Sequence, residues 1–364
     1  MNNQKKVGVI CFNERGLVPF VENYIQALER HDIDYECIFW DRYTNAETEK
    51  KGNIYTLHAV CKPGGSKLSK VLPMFKYKWI VERIIKKEKY THLIILTTQP
   101  GFLLHGLLCK NYSGKYIFDY RDYTYERFEY YKNIVNDLID QSYFTAVSSK
   151  GFLRFLEPHQ KMYFCHNVTN LESIVSNKID IKGKDNITIG FVGGVRYFSE
   201  NAKFLQSLAN INRYTLTYVG RQNIDCDLKS YCKEKKILNT IFKGSFDNNE
   251  KPRIYQTIDM INSIYGNQSL EVTTALPNRL YDALIYKKPI ITSAGTYLGK
   301  IVVENKVGIS VDLDKDDIHA VIEDYVNNFD ANIFNENAER LLKQVLDEQQ
   351  MYINKIEEFV NLED

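Results

Sequence analysis

The chain has 364 residues, 44% of them hydrophobic and 26% charged, with a formal net charge of +1. That composition belongs to a folded globular protein with room for about two domains of about 150 residues each. It excludes a disordered chain and a nucleic-acid binder built on a global positive field. No apolar run reaches the roughly 18 residues of a membrane span, and the opening Met1–Lys6 lacks the apolar core of a secretory leader. A cytoplasmic location is therefore expected, with a peripheral seat on the inner face of the cell membrane left open. The seven cysteines (Cys11, Cys37, Cys61, Cys109, Cys165, Cys226, Cys232) form no Cys-x-x-Cys pair and read as reduced, mostly buried thiols.

In chain order, short β-branched runs predict strands at Val7–Phe12, Tyr35–Trp40, Ile54–Val60, Leu93–Leu96, Tyr116–Phe118, Phe144–Val147 and Met162–Cys165. Amphipathic segments separate them, the pattern of a parallel sheet covered on both faces. After the first strand, Asn13-Glu14-Arg15-Gly16 offers a cation and a glycine that lets backbone approach a ligand. Residues 62–89 carry Lys62, Lys67, Lys70, Lys76, Lys78, Arg83, Lys86, Lys87 and Lys89 against only Glu82 and Glu88. Leu72, Met74, Phe75, Trp79 and Ile80 lie among them, which predicts either an interfacial helix on an anionic membrane surface or a solvated helix face. No nucleic-acid recognition motif accompanies the patch, so nucleic acid is not an expected partner. His105 follows the strand-end segment Thr98-Gln99-Pro100-Gly101 and is a candidate base or a structural histidine. Asp119, Arg121 and Asp122 cluster after the next strand, as an acceptor-side site or an internal ion-pair network.

Residues 170–186 are polar and charged, which sets a first domain at 1–168, a linker at 169–186 and a second domain at 187–334, followed by charged helices over 335–364. Strands are predicted at Ile187–Val192, Thr215–Val219, Ile241–Phe242, Asp259–Ser263, Ile290–Ser293 and Gly308–Val311. The first of these ends at Gly193-Gly194, with Ser199 as N-cap of a helix through Ala202–Leu208. The two glycines suit close passage of a ligand, and Arg196 presents a planar fork of donors to a diphosphate. Two Asp-x-Asp strings, Asp225-Cys226-Asp227 and Asp312-Leu313-Asp314, precede the helical segments 228–235 and 318–325. Helix capping accounts for them, and no metal is expected. The most informative stretch is 276–293. A Pro-opened helix carries an apolar stripe at Leu280, Ala283 and Leu284 and a polar face at Asn278, Arg279 and Asp282, and then drops into the strand Ile290–Ser293. A helix start favours phosphate, and a carboxylate one turn in suits a ribose diol.

Residues 187–312 resemble, in order and spacing, the donor half of GT-B glycosyltransferases, in particular the retaining family-four and family-four-like enzymes of bacterial polysaccharide biosynthesis. Arg279, Asp282 and Pro289–Ser293 match that family's Lys/Arg-x-x-Glu-Ala-x-Ala-x-Gly-x-Pro-Val-Ile. Thr217-Tyr-Val-Gly-Arg221 looks like its Val-Gly-x-Gly strand end, Phe242-Lys243-Gly244 like its Phe-x-Gly, and Ile258–Ile264 like its Ala-Asp-x-x-x-x-Pro. In the first half, Asp119–Glu126 resembles its Asp-x-His/Arg-Asp segment. The resemblance implies an α/β chain of two Rossmann-like domains facing across a cleft, with the C-terminal helix crossing back to the first. It implies transfer of a sugar from a UDP- or GDP-sugar to a hydroxyl of a glycan or lipid-linked glycan, with no cofactor and no metal.

The residues implied for the donor nucleotide are Gly193, Gly194, Arg196, Arg221, Lys243, Asn278, Arg279, Leu280 and Asp282; those for the acceptor side are Arg15, Gly16, Asp119 and Arg121. Catalytic candidates are Arg196, Asp122, His105 and Glu271. The sequence departs from the family twice. Gly194 holds the usual Arg position and Glu200/Asn201 replace the Lys, which leaves a second cation to Lys243 or Arg279. Thr274 stands where the earlier of two spaced glutamates belongs, with Glu271 nearby as a substitute. Two other readings stay open: an inverting transferase or sugar-nucleotide epimerase using Asp122 or His105 as base, and a degenerate GT-B module that binds a glycan.

Overall fold

Short strands that are apolar along their whole length have to be covered on both faces, and the chain satisfies them in two compact units. The computed structural model describes residues 5–61, 67–168, 171–174, 179–222 and 227–362. One unit comprises Met1–His166 and Asp347–Asp364, the other Asn167–Leu346.

The first unit runs β1 (Lys6–Cys11), α1 (Val21–Arg30), β2 (Asp34–Asp41), β3 (Glu49–Lys51), β4 (Ile54–His58), α2 (Lys67–Glu88), β5 (His92–Leu96), α3 (Thr98–Asn111), β6 (Tyr116–Tyr120), α4 (Glu129–Gln141), β7 (Phe144–Val147) and β8 (Met162–Phe164). Its sheet has the order β3-β4-β2-β1-β5-β6-β7-β8, parallel throughout except for β3 against β4. Successive side chains of a strand point to opposite faces, and the buried residues divide accordingly. Ile10, Trp40, Ile95 and Phe118 pack with α2, α3 and α4. Val9, Phe39, Ile94 and Ile117 pack with α1 and with Tyr352, Ile356 and Phe359 near the C-terminus. Each fully buried aliphatic side chain contributes about 1.5–3 kcal/mol.

The second unit runs β9 (Ile187–Val192), α5 (Phe198–Ser207), β10 (Tyr214–Val219), α6 (Leu228–Lys235), β11 (Thr240–Lys243), α7 (Lys251–Gln256), β12 (Met260–Ser263), α8 (Leu270–Thr274), α9 (Asn278–Ile285), β13 (Ile290–Ser293), α10 (Tyr297–Glu304), β14 (Gly308–Val311), α11 (Ile318–Asn327) and α12 (Ala331–Val360). From Asp347 onward α12 belongs to the first unit. The all-parallel order β11-β10-β9-β12-β13-β14 is the doubly wound arrangement of a dinucleotide-binding fold. The winding reverses between β9 and β12, so the crevice beyond their carboxyl ends is where a ligand is expected. In the first unit the corresponding reversal falls between β1 and β5.

The structure departs from or adds to the sequence reading at three points. Ser199 is not the N-cap of α5: Tyr197 takes that position in the left-handed region (φ 59°, ψ 68°), and Ser199 lies in the first turn. On the helix over 278–285 the polar residues Arg279 and Asp282 are both buried, along with every residue from 279 to 285. The edge strand β3 went unforeseen, since Glu49, Lys50 and Lys51 carry no apolar signal. Among the cysteines, burial pushes the Cys11, Cys37 and Cys165 thiols up to about 12, which keeps them protonated and unreactive.

Candidate functional site

At the carboxyl edge of the second sheet, backbone contacts join three strand ends. Gly193 has φ 122° and donates its N–H to Val219 O at 2.9 Å. Gly220, with φ 142°, passes so close that a Cβ there would sit 2.0 Å from Gly193 O, so this position has to be glycine. Val195 N–H donates to Arg221 O at 3.0 Å, and Gly220 N–H to Lys243 O at 3.2 Å. The ends of β9, β10 and β11 thus form one rim, which carries Gly193, Gly194, Arg196, Arg221 and Lys243. All three cations are exposed on it, and the space beside Gly193 and Gly194 is open.

Behind the rim lies Arg279, in the first turn of α9. It is 4% exposed, and its guanidinium sits 3.6 Å from the Phe191 ring centroid and 4.4 Å from that of Tyr265. One donor, Nη1, reaches Asn262 O at 3.2 Å. Among the described residues it has no carboxylate partner. Burial pulls its pKa down to about 10. A charge taken out of water without a counter-ion costs several kcal/mol, and stacking on rings offsets about 2 kcal/mol of that. The arrangement is that of a cation prepared for an anion. It stands at the β9/β12 crevice, between Phe191 of β9 and Asn262 of β12.

Asp282, one turn further on, is already committed. Lys251 Nζ donates to both its oxygens at 3.0 and 3.1 Å, and Tyr255 OH donates to Oδ2 at 2.8 Å. Leu280 is 1% exposed and belongs to the core; Asn278, the first residue of α9, is exposed. The loop after β12 is pinned where Tyr265 and Gly266 N–H groups donate to Ser293 Oγ at 3.1 and 2.9 Å. Tyr197 packs edge-on against Tyr265 at 5.4 Å. Its hydroxyl pKa is raised, first by burial and then by the charge of Glu271, with Arg196 pulling the other way. Glu271 is exposed. Thr274 is buried and donates its hydroxyl to Leu270 O at 2.6 Å.

In the first unit the strand-end residues divide between surface and interior. Asp119 is fully buried, paired with Arg121 (Nη2–Oδ2 2.9 Å), and accepts from Tyr24 OH at 2.6 Å. Arg121 lies over the Phe20 ring at 4.2 Å. This is the internal ion-pair arrangement, beneath the surface and closing the end of β6. Asp122 is exposed. Arg15 is exposed and pairs with Glu22 at 2.8 Å, while Gly16 has open space around it. His105 lies within α3, away from the strand ends, with Nε2 3.3 Å from Asp137 of α4. Thr97 was not foreseen. It is the N-cap of α3 at the end of β5, held at φ 74° with a buried hydroxyl that has no hydrogen-bond partner among the described residues. Strain of that kind costs about 1–3 kcal/mol and concentrates at ligand sites. Lys251, Tyr255, Tyr197, Tyr265 and Phe191 were likewise missed: each reads alone as an ordinary lysine or core aromatic.

Of the Asp-x-Asp strings, Asp225 and Cys226 lie outside the described residues. Asp227 caps α6, accepting from Ser230 N–H at 3.0 Å. Asp312 accepts from Asp314 N–H at 3.0 Å and pairs with Lys315 at 2.8 Å. Among the described residues no three His, Cys, Asp or Glu side chains converge as a metal site.

Solved structures align with the chain along almost its whole length. A sucrose-phosphate synthase from Thermosynechococcus elongatus is 14% identical over 96% of this chain and 98% of its own, with a TM-score of 0.67. Anabaena HepE in complex with UDP and glucose is 11% identical over 97% and 100%, with a TM-score of 0.64. The lipopolysaccharide outer core galactosyltransferase WaaB is 16% identical over 96% and 99%, with a TM-score of 0.62. The fold is GT-B. No family model matches the sequence, and no curated protein matches it. In GT-B terms the second unit is the one whose sheet carries the Arg279 crevice and its basic rim. Among the described residues no helix is long and apolar enough to cross a membrane.

Proposed function

We propose that the chain is a glycosyltransferase that moves a hexosyl group from a UDP- or GDP-sugar to a hydroxyl of a glycan or lipid-linked glycan in surface polysaccharide synthesis. The observation that carries this reading is Arg279, a buried cation with no carboxylate bonded to it among the described residues, placed at the β9/β12 switch point beside the Gly193–Gly194 turn. The diphosphate lies over the two glycines, with Arg279 and the start of α9 at Asn278 behind it and Arg196, Arg221 and Lys243 along the rim. HepE, which shares the fold, holds UDP and UDP-glucose in its own structures.

As the glycosidic bond breaks, negative charge builds on the leaving phosphate oxygen. Cations already in place there stabilise that charge in the transition state more than in the ground state, without needing a metal. In a retaining course this oxygen takes the acceptor hydroxyl's proton. Glu271, beside Tyr197, serves as the sugar contact in place of Thr274. Asp282, closed by Lys251 and Tyr255, anchors α9 beneath the site instead of bonding the ribose itself.

The acceptor lies at the carboxyl ends of β1, β5 and β6, near Thr97, Asp122, Arg15 and Gly16. The Asp119–Arg121 pair fixes the floor there, and His105 with Asp137 braces α3 on α4. The basic segment 67–89 faces an anionic membrane surface; Lys62, from the same run, lies outside the described residues.

Incubation with UDP-glucose, UDP-galactose and GDP-mannose tests the reading, with free nucleoside diphosphate and the anomeric proton followed by NMR. Slow release from one donor is expected, reduced at least tenfold in an Arg196→Ala/Lys243→Ala variant, whose substitutions are both at exposed positions. Binding of nucleotide without release from any donor would point to the binding module. The absence of both binding and release would overturn the proposal.

A further inference from the structure

An apolar cavity of about 300 Å³ opens at the carboxyl edge of the first sheet, lined by Met74 of α2, Phe102 and Leu103 of α3, and Phe128, Tyr130 and Tyr131 at the start of α4. That volume is at the lower end of the range for small-molecule sites. Aromatic rings build its wall: Phe102 stacks on Tyr131 at 4.6 Å and meets Tyr130 edge-on at 6.5 Å. The Tyr131 hydroxyl accepts from Thr124 Oγ1 at 2.9 Å, which turns its polar end toward Thr124. Gln99 and Tyr125 complete the lining, and the surface they leave to the cavity is apolar rather than hydrogen-bonding, which suits a hydrocarbon better than a sugar.

The mouth continues into exposed apolar surface. Phe128 is 51% and Tyr130 74% exposed. On α2, Val71, Leu72, Phe75 and Trp79 fall on one solvent-facing stripe at helical spacing, each at least 43% exposed. Its opposite face buries Tyr77, Val81, Ile84 and Ile85, so α2 is apolar on both sides. Lys76, Lys78, Arg83 and Lys86 border the stripe, against Glu82 alone. Exposed apolar area of this kind marks a contact site. A second copy is a poor occupant, because a two-fold contact would bring this cationic border against itself. Rings and aliphatics edged by lysine match the acyl region and headgroups of an anionic bilayer.

We propose that the cavity takes a hydrocarbon chain of an anionic amphiphile, with the α2 stripe resting on the bilayer from which the chain is drawn. This rests on the acceptor-side reading of the first unit and narrows the acceptor to one carrying an apolar chain. The test reads binding rather than transfer, so it fails or succeeds independently of catalysis.

The probe is 11-(dansylamino)undecanoic acid, titrated by fluorescence into the full chain. Saturable binding is expected, at least tenfold weaker in Leu103→Trp and in Met74→Trp, each of which fills the cavity. Circular dichroism melts confirm which variants fold, and two independent fillings guard against the loss of one. In parallel, phosphatidylglycerol vesicles should sediment the protein and phosphatidylcholine vesicles should not. A Phe75→Ser/Trp79→Ser variant should lose vesicle binding at least tenfold while keeping the probe's affinity. No saturable probe binding, or wild-type affinity in folded cavity-filling variants, overturns the cavity assignment. Equal sedimentation by both vesicle types overturns the anionic surface.

Discussion

Arg279 and Asp282 lie three residues apart on α9 and meet different needs. Asp282 is closed within the protein by Lys251 and Tyr255, whereas Arg279 meets, among the described residues, two rings and one carbonyl. Removing one member of a buried pair leaves a charge that neither water nor protein compensates. With side chains 9% and 5% exposed, Lys251→Met should cost about 3–5 kcal/mol in urea unfolding. Lys251→Met/Asp282→Leu should recover most of that, and a single-variant cost below about 1 kcal/mol would contradict the pair's structural role. Sequence spacing located both residues on one helix and related them to a phosphate and a ribose. It did not show that they are buried, because the groups that cover them come from α7, β9 and the loop after β12. Likewise Asp119 and Arg121 were legible as a charged strand end, but their enclosure depends on Tyr24 and Phe20, about a hundred residues earlier in the chain.

Among the elements, the parallel strands were legible because β-branched apolar runs have few other places to go. The β3 strand was not, since an exposed edge of three charged residues has no pattern. The α2 helix read as an apolar face bordered by lysines; the structure adds a second apolar face, which sequence periodicity cannot divide between core and surface. Its last turn holds Glu88, which ties three elements together. Tyr55 OH of β4 donates to it at 2.5 Å and Lys6 of β1 at 2.9 Å. Those bonds, led by Tyr55, lower its pKa from the ordinary 4.5 to about 2. A carboxylate whose folded pKa is depressed adds stability above its unfolded value and loses it as pH falls toward the folded value. Wild-type urea midpoints should therefore drop between about pH 4.5 and pH 2, and Glu88→Gln should flatten that drop while lowering stability at pH 7. An unchanged slope in the variant would show that other carboxylates govern acid unfolding.

At the scale of the whole molecule, the two Rossmann-like units were legible from the alternation of strands and helices, and the fold shared with sucrose-phosphate synthase, HepE and WaaB agrees with that reading. Strand order was not legible, because a linear pattern does not say where the winding reverses. That reversal, between β9 and β12, is what gives Arg279 its significance. The most direct measurement is thermal unfolding of wild type and Arg279→Met with UDP and GDP. Methionine keeps the bulk and removes a buried charge, so the variant should melt at or above the wild-type temperature without ligand. At about 100 times the dissociation constant, one nucleotide should raise the wild-type midpoint by about 5 °C or more and leave Arg279→Met unmoved. Equal shifts in both proteins, or no shift of the wild type at millimolar nucleotide, would contradict a diphosphate site built on Arg279.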